Sequence, residues 1–375
     1  MNSRSYLQIR RIIGVFTTRS FTTMSTRPFA LERQFAVSAV RRACALTSSV
    51  FNKLVKNETL TKGDKSPVTV GDYAAQGLIS IMLKNSFPAD PIVGEEDAGE
   101  LRADEGKVLR ERIIDLANEA LVAPRVEGDK AEWGIGPGQT KTTDELLDAI
   151  DRGNYDGGRT GRMWTIDPID GTKGFLRGEQ YAVCLSLLVD AQVQLGIIGC
   201  PNLPLDLSNP DGERGCIFVA VRGQGCQQIP LSGASETTLS MPTFTPSSLT
   251  FLESVEAMHS SHSTSDIISS IIGITRPPIR MDSQAKYGCL ARGDGGLYLR
   301  MPTNAGYREK IWDHAPGCLL VEEAGGIVTD SRGLPLDFGV GRTLGENYGV
   351  VAAGKEVHAV VLDAVQQATG VKAKA

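Results

Sequence analysis

Trp164-Thr165-Ile166-Asp167-Pro168-Ile169-Asp170-Gly171-Thr172-Lys173-Gly174-Phe175 is the stretch around which we expect the fold to be organised. Pro168 fixes its own φ angle and biases Asp167 towards extended backbone, so the chain must bend before Asp170. This bend can aim both carboxylates and the Ile169 carbonyl at a common centre, and Mg²⁺ prefers such hard oxygen ligands. The stretch therefore predicts a magnesium site. A tight surface turn is the alternative, because Asp-Pro and Asp-Gly are ordinary turn dipeptides.

The residues that follow Asp170 are suited to holding an anion. Gly171 lets the backbone approach a ligand closely, and the N–H groups of the following turn can point at a negatively charged group. Together, the two halves of the stretch predict a place that holds metal ions beside a phosphate.

Length and composition limit the class of protein. With 375 residues, the chain is long enough for two domains or for one large domain with a substantial core. A hydrophobic content of 41% with 41 glycines indicates a soluble α/β protein with many turns. The net charge of -5 gives no support for general nucleic-acid binding, which favours a basic surface. No apolar run approaches the ~18 residues that a membrane span needs.

The seven cysteines are scattered and form no CxxC pair. An odd number without metal-ligand spacing predicts buried thiols in a reducing compartment rather than a disulfide framework or a zinc site.

The N-terminal segment differs in composition from the rest of the chain. Arginines stand there among serines, threonines and apolar residues, and the first acidic residue is Glu32. This composition is typical of a mitochondrial transit peptide. The alternative is a disordered leader, with Met24 as the start of a cytosolic form. We therefore exclude residues 1–27 from the fold and expect a cytoplasmic or mitochondrial protein.

Three further acidic residues lie where a helix is predicted to begin or a strand to end. Asp72 precedes a predicted helix over 73–83, Glu95 follows a short strand, and Asp313 precedes another helix. In the structural interpretation, Asp72 and Asp313 cap their helices and Glu95 belongs to a solvated loop. In the functional interpretation, Asp72 faces a metal-bound water and Asp313 is a third metal carboxylate.

The patterning predicts two domains. A long amphipathic helix is expected from Pro28 to about Leu54, and the charge-rich residues 98–150 are expected to be an insertion or a flap. A segment rich in Ser, Thr and Pro, residues 228–248, is the best candidate for a domain boundary. We therefore expect an N-terminal α+β domain over 28–245 and a C-terminal α/β domain over 246–375.

The second half contains candidate binding residues without a clear motif of their own. His259 and His262 lie three apart with no third ligand nearby, so helix capping or substrate contact is favoured over metal binding. Lys286 and Arg300 are either ordinary surface charges or ligands of a second phosphate or a nucleotide.

Several segments, taken in order, resemble a known enzyme family. The lithium-sensitive, magnesium-dependent phosphomonoesterases, which include inositol monophosphatase and fructose-1,6-bisphosphatase, have signature segments similar to Gly94-Glu95-Glu96, Asp167-Pro168-Ile169-Asp170-Gly171-Thr172 and Trp312-Asp313-His314-Ala315. Within that family, the fungal-type 3'(2'),5'-bisphosphate nucleotidases are similar to this chain over residues 66–76, 171–180, 282–287 and 309–314. The resemblance covers roughly residues 28–365.

The resemblance implies roles for individual residues. The ligands of two or three magnesium ions, with Asp167 bridging, would be Glu95, Asp167, the Ile169 carbonyl, Asp170 and Asp313. Asp72 and Thr172 would form a hydrogen-bonded pair that orients and deprotonates the attacking water. The residues implied in substrate binding are Thr172, His259, Ser283, Lys286, Arg300 and Asp313.

The resemblance also implies a fold and an activity. The fold would be a layered αβαβα sugar-phosphatase fold with metal ligands mostly in the N-terminal domain and nucleotide contacts in the C-terminal one. The activity would be hydrolysis of adenosine 3',5'-bisphosphate (PAP) to AMP, and of 3'-phosphoadenylyl sulfate (PAPS) to adenylyl sulfate, inhibited by lithium and supporting sulfate assimilation and salt tolerance. An inositol monophosphatase or inositol polyphosphate 1-phosphatase is the enzymatic alternative, and a non-catalytic cation- or nucleotide-binding protein is another. We expect a monomer that binds no nucleic-acid polymer and no membrane.

Overall fold

The computed structural model describes residues 27–53, 59–61, 67–233, 235–255, 262–302 and 306–371. The leader up to residue 26 and the candidate substrate residue His259 lie outside these ranges. Within them, no helix combines the length and the apolar character that crossing a membrane requires. All seven cysteines belong to the described part and are buried thiols, as predicted.

The larger sheet has seven strands. A short antiparallel ribbon, β1 (Thr59–Thr61) and β2 (Pro67–Thr69), precedes it in the chain. The seven strands of the larger sheet lie side by side in chain order. The strands β3 and β4 are parallel, and each later strand is antiparallel to the one before it. They are β3 (Ile92–Gly94), β4 (Arg162–Asp170), β5 (Ala182–Val189), β6 (Gln192–Pro204), β7 (Arg214–Val221), β8 (Cys226–Pro230) and β9 (Thr237–Leu239).

Helices cover one face of this sheet. The helices of the first half are α1 (Ala30–Lys53), α2 (Val70–Ser86), α3 (Gly99–Arg102), α4 (Lys107–Val122), α5 (Thr143–Asp151) and α6 (Thr172–Arg177). The predicted long N-terminal helix is confirmed as α1. Residues 98–150 do not form a flap, because α4 and α5 bury Leu116 and Leu147 in the same core as α1 and α2. The many charges on their outer faces concealed these apolar stripes. That residues 98–150 are an insertion stays a prediction.

The smaller sheet has five strands in the order β11-β10-β12-β14-β13. The strands β10 and β12 are parallel, as are β10 and β11, whereas β14 runs antiparallel to both of its neighbours. The strands are β10 (Phe251–Glu253), β11 (Ile279–Arg280), β12 (Leu297–Arg300), β13 (Gly326–Thr329) and β14 (Val350–Gly354). The helices of this half are α7 (His262–Ile272), α8 (Ala285–Arg292), α9 (Ala315–Glu323) and α10 (His358–Thr369).

The alternation of side chains on the strands produces five layers. Tyr298 of β12 packs towards α8, α9 and the larger sheet, whereas its neighbours Leu297 and Leu299 pack towards α7 and α10. The two sheets therefore share the layer formed by α8 and α9, and each has a second helical layer outside. This order of layers confirms the predicted αβαβα fold. The strands β8 and β9 extend the larger sheet to Leu239, so most of the segment 228–248 is not a linker, and a domain division at residue 245 stays a prediction.

Two close approaches hold the central layer against the larger sheet. A Cβ atom at Gly196 of β6 would lie 2.6 Å from the carbonyl oxygen of Pro316 in α9. A Cβ atom at Gly288 of α8 would lie 2.4 Å from the ring of Phe218. Glycine at these two positions lets the helices lie directly on the sheet, and this places the start of α9 beside the end of β4.

Candidate metal and phosphate site

The central stretch is the buried end of β4, not a surface turn. Asp167 pairs with Cys184 of β5 and Asp170 pairs with Ala182, so β4 has one residue more than β5 in this interval. Such a β-bulge re-aims side chains, and Pro168 lies within it. Gly171 then adopts a left-handed φ of 85° and α6 begins at Thr172. The predicted bend is confirmed, and the surface-turn alternative is wrong because only 2% of Asp167 is exposed.

Three carboxylates meet at this bulge. Asp167, Asp170 and Asp313 each offer an oxygen atom, and these atoms lie within 4.8 Å of one another. Burial raises the pKa of all three carboxyl groups, and the mutual repulsion of their negative charges raises it further for Asp167 and Asp313. The Oδ1 atom of Asp167 has no hydrogen-bond partner among the residues that the structure describes. A cluster of oxygen ligands of one charge, with Asp167 buried and Asp170 and Asp313 half-buried, fits a hard divalent cation such as Mg²⁺.

The parallel pairing of β3 with β4 brings Glu95 to the same edge. Gly94 lies opposite Ile166 in this pairing, and the Glu95 N–H donates to the Ile166 carbonyl at 3.2 Å. The charge of Glu95 contributes, after burial, to the raised pKa of Asp167. Glu95 is therefore close to the bulge, and the hypothesis of a purely solvated acidic loop does not describe it.

Asp72 and Thr172 approach the cluster from the helical side. The helix α2 begins at Val70, so Asp72 lies in its first turn and is not the N-cap that the sequence suggested. Asp72 is 2% exposed, and its charge also raises the pKa of Asp167. The Thr172 hydroxyl donates to the Ile169 carbonyl at 3.3 Å. The pairing of Asp72 with Thr172 stays a prediction.

The start of α8 closes the site from the second half of the chain. The Gln284 N–H donates to Oδ2 of Asp170. Ser283 has a φ of 68°, and a Cβ atom at Gly171 would lie 2.9 Å from its Cβ, so the two segments touch through a glycine. The Gln284 side chain donates to the carbonyl of Trp312 at 2.9 Å, directly before Asp313. This residue, which the sequence did not single out, contacts the segments of two candidate ligands.

Lys286 is buried in the first turn of α8, so the hypothesis of an ordinary surface charge is wrong for it. Only 2% of the residue is exposed, and its Nζ atom donates to the carbonyls of Met281 at 3.1 Å and Ser283 at 2.7 Å. Burial lowers the pKa of Lys286 to about 8, against the opposing effect of the Asp170 charge. Lys286 thus places positive charge beside the acidic cluster.

A buried network behind Asp313 was not predicted. Arg300 donates from Nε to Glu309 Oε1 at 3.1 Å, and the other oxygen of Glu309 lies 3.2 Å from His314 Nε2. The Nδ1 atom of His314 lies 2.8 Å from the Tyr287 hydroxyl. Burial alone would raise the pKa of Glu309, but the hydrogen bond with His314 and the charge of Arg300 lower it to about 2.

Asp313 is not the N-cap of α9, as the capping hypothesis had it. The N-cap of α9 is His314, and Asp313 ends a single 3₁₀ turn over Ile311–Asp313 that lies against β4. Atoms of Glu309, Asp313 and His314 also lie within 4.8 Å of one another. Glu309 is already bonded to Arg300 and His314, so this group positions the end of the turn. The spacing of Glu309 and His314, five residues apart around Asp313, matches no helix or strand period and gave no signal.

The family assignment agrees with this geometry. The family model described as "Inositol monophosphatase family" matches residues 31–369. The chain belongs to the inositol monophosphatase family. It is 49% identical to a 3'(2'),5'-bisphosphate nucleotidase of Schizosaccharomyces pombe over 91% of this chain and 96% of that protein. It is 46% identical to a 3'(2'),5'-bisphosphate nucleotidase of Emericella nidulans, with coverage of 90% and 97%. A protein named 3'(2'),5'-bisphosphate nucleotidase 1 of Arabidopsis thaliana is 43% identical, with coverage of 92% and 98%.

Two solved structures share the fold of this chain. The extragenic suppressor protein suhB of Bartonella henselae matches with a TM-score of 0.59 at 17% identity, over 91% of this chain and 100% of that chain. An IMPase of Thermotoga maritima matches with a TM-score of 0.57 at 18% identity, over 90% and 98% of the two chains. At this level of identity, the likeness concerns the fold alone.

Proposed function

We propose that this chain is a magnesium-dependent 3'(2'),5'-bisphosphate nucleotidase, which hydrolyses PAP to AMP and phosphate and PAPS to adenylyl sulfate. The observation that carries the proposal is identity of 42–49% with nucleotidases over nearly their whole length. Solved structures of an IMPase of Thermotoga maritima and of an inositol monophosphatase of Anabaena are only 18% and 15% identical to this chain. An inositol monophosphatase or inositol polyphosphate 1-phosphatase is therefore the less favoured alternative.

The buried acids are proposed to hold two or three magnesium ions. Their ligands would be Glu95, Asp167, the Ile169 carbonyl, Asp170 and Asp313, with Asp167 bridging two ions. Bound magnesium supplies positive charge that offsets the negative charge of the phosphate and of the carboxylates themselves. The buried Oδ1 atom of Asp167, which has no partner in the described part of the chain, supports its place in this set.

The residues around the acids are proposed to position the substrate and the attacking water. Asp72, oriented by Thr172, accepts a proton as the water oxygen forms its bond to phosphorus and the bond to the 3' oxygen breaks. The leaving oxygen takes up a proton and becomes the 3' hydroxyl of AMP. The contacts proposed for the nucleotide and its phosphates are His259, Ser283, Lys286, Arg300 and Asp313.

We further propose that the metal site lies between two domains, 28–245 and 246–375, of a monomer. Asp167 and Asp170 belong to the larger sheet, whereas Asp313 and Gln284 belong to the second half of the chain. A site assembled from both halves of one chain is complete when these halves pack together, so it requires no residue of a second subunit.

Phosphate release from PAP tests the proposal. The purified chain is expected to release phosphate and form AMP in the presence of Mg²⁺, to stop when EDTA is added, and to recover when excess Mg²⁺ is restored. Chromatography of the nucleotide product distinguishes AMP from adenosine 3'-phosphate. Absence of release, or release that EDTA leaves unchanged, would rule out the proposed activity.

A further inference from the structure

Arg342 reaches from the loop between β13 and β14 to the larger sheet. Its Nη2 atom donates to the carbonyl of Gly94 at 2.5 Å, and its Nη1 atom donates to the carbonyls of Gly153 at 2.8 Å and Tyr155 at 3.0 Å. The Gly153 carbonyl also accepts the N–H of Gly94 at 2.8 Å. Gly94 directly precedes Glu95. Its carbonyl is therefore fixed by Arg342, and its N–H is fixed by the Gly153 carbonyl, which Arg342 also contacts.

The same residue also holds the segment that carries Asp313. The centre of the Arg342 guanidinium lies 5.0 Å from the centroid of the Trp312 ring, within the range of a cation–π contact. The backbone carbonyl of Arg342 accepts the N–H of Ile311 at 3.1 Å. Trp312 directly precedes Asp313. Arg342 thus connects the residues that precede two candidate metal ligands from opposite halves of the chain.

The position of Glu95 depends on such contacts because its own strand is short. The strand β3 has three residues and lies at the edge of the larger sheet, so β4 is its only neighbouring strand in that sheet. Its other side is paired only through an isolated antiparallel bridge between Val93 and Asn154, beside the carbonyls of Gly153 and Tyr155 that Arg342 contacts. On the other side of Glu95, the Gln76 side chain donates to the Glu96 carbonyl at 2.6 Å and accepts the Glu96 N–H at 3.0 Å. Both chain neighbours of Glu95 are therefore held in place. Arg342, from the other half of the chain, binds Gly94, and Gln76 of α2 binds Glu96.

We propose that Arg342 is a positioning residue that raises the affinity of the acidic cluster for divalent metal ions, a role that rests on the metal-dependent function proposed above. Without a metal ion, the carboxylates repel one another, and contacts of the surrounding chain hold the segments of Glu95 and Asp313 in place. Arg342 fixes the chain directly before both residues. The ligands are therefore pre-organised, and metal binding does not have to order them.

The test is metal binding in the absence of substrate. Mn²⁺ serves as the probe, and electron paramagnetic resonance measures the unbound ion in titrations of wild type, Arg342→Gln and Arg342→Lys. Removal of partners that orient metal ligands typically weakens metal binding by roughly 10- to 100-fold, and we expect this range for Arg342→Gln. Arg342→Lys is expected to be intermediate, because lysine keeps the charge but has one nitrogen in place of the guanidinium fork.

Arg159→Gln is the matched control. Arg159, in the segment before β4, forms an ion pair with Asp337 at 2.6 Å, which also connects the first half of the chain to the loop of Arg342, but both side chains of this pair are exposed. Its loss is expected to leave Mn²⁺ affinity unchanged. Wild-type affinity in folded Arg342→Gln would overturn the proposal, as would equal losses in Arg342→Gln and Arg159→Gln. If Arg342→Gln does not fold, wild-type affinity in Arg342→Lys has the same consequence.

Kinetics separate positioning from a general structural role. For the Arg342 variants, the Mg²⁺ concentration that gives half-maximal phosphate release from PAP should rise in parallel with the loss of Mn²⁺ affinity. The KM for PAP and the kcat at saturating Mg²⁺ should change little. A fall in kcat that saturating Mg²⁺ does not restore would contradict the proposal. The Mn²⁺ titration uses no nucleotide, so a chain that binds Mn²⁺ but does not cleave PAP would contradict the proposed function alone.

Discussion

Asp167→Asn is expected to abolish phosphate release while the chain stays folded and gains stability in the absence of divalent metal. Asparagine has the same shape, so the bulge in β4 should persist. It removes one negative charge from a buried cluster in which burial and neighbouring carboxylates raise the pKa of Asp167. The metal-free fold therefore loses repulsion, whereas the metal-bound enzyme loses the ligand that we propose to bridge two ions. We expect a fall in kcat/KM of at least about 10²–10³-fold, the size found when one electrostatic partner of a transition state is removed.

The measurement combines steady-state phosphate release with thermal unfolding in EDTA and in excess Mg²⁺. Asp190→Asn makes the same chemical change in the turn between β5 and β6, where the carboxylate accepts the Gly161 N–H at 2.8 Å, and it should leave both activity and unfolding unchanged. Mg²⁺ should raise the unfolding temperature of the wild type and of Asp190→Asn more than that of Asp167→Asn. An active Asp167→Asn enzyme, or an equal Mg²⁺ shift in all three proteins, would contradict the assignment of Asp167.

Glu309→Gln is expected to cause the largest loss of stability. Glu309 is 3% exposed and is bonded to Arg300 and His314, so its neutralisation leaves the Arg300 guanidinium buried without a full counter-charge. Removing one partner of a buried ion pair typically costs about 3–5 kcal/mol. Urea unfolding should detect this loss. Activity should also fall, because the network fixes the 3₁₀ turn that carries Asp313.

Glu253→Gln is the matched control for this change. Glu253 is 5% exposed and accepts a hydrogen bond from Arg280 Nε at 3.2 Å, but the Arg280 side chain is 51% exposed. Water can solvate that guanidinium after the substitution, so the expected loss is below about 1 kcal/mol. Equal losses in Glu309→Gln and Glu253→Gln would contradict the argument from burial.

The lowered pKa of Glu309 predicts that the folded chain loses stability in acid. Its pKa is lowered from 4.5 to about 2 in the folded chain, so the unfolded chain takes up the proton first as the pH falls. The stabilisation by Glu309 is complete above the unfolded pKa of 4.5 and is lost as the pH falls through that value towards about 2. The free energy of unfolding should therefore fall less steeply with acid in Glu309→Gln than in wild type.

The local features of the site could be predicted from the sequence because they follow from short-range geometry. Pro168 between two aspartates forces a bend, and Gly171 permits the left-handed turn before α6. The apolar spacing of α1 is likewise a property of nearby residues. Such local patterns predict where a helix or strand forms, but they do not predict which helices and strands pack against one another.

The remaining features depend on contacts between residues far apart in the chain. Arg342 donates to a carbonyl 248 residues earlier, and no local pattern marks an arginine in an irregular loop for such a role. Glu309 and Gln284 lie beside recognised residues, but their functions appear only when β12, α8 and α9 pack together. The capping hypotheses for Asp72 and Asp313 were wrong for the opposite reason. A favourable local role was available at each position, but α2 begins at Val70, before Asp72, and the N-cap of α9 is His314, one residue after Asp313.

The comparison of two substrates tests the central claim most directly. Values of kcat/KM for PAP and for inositol 1-phosphate should be measured with the same preparation at saturating Mg²⁺. We predict a preference for PAP of at least about 10²-fold, because the inositol ester lacks the nucleoside and the second phosphate that the proposed nucleotide contacts would bind. An equal or higher kcat/KM for inositol 1-phosphate would contradict the assignment as a bisphosphate nucleotidase.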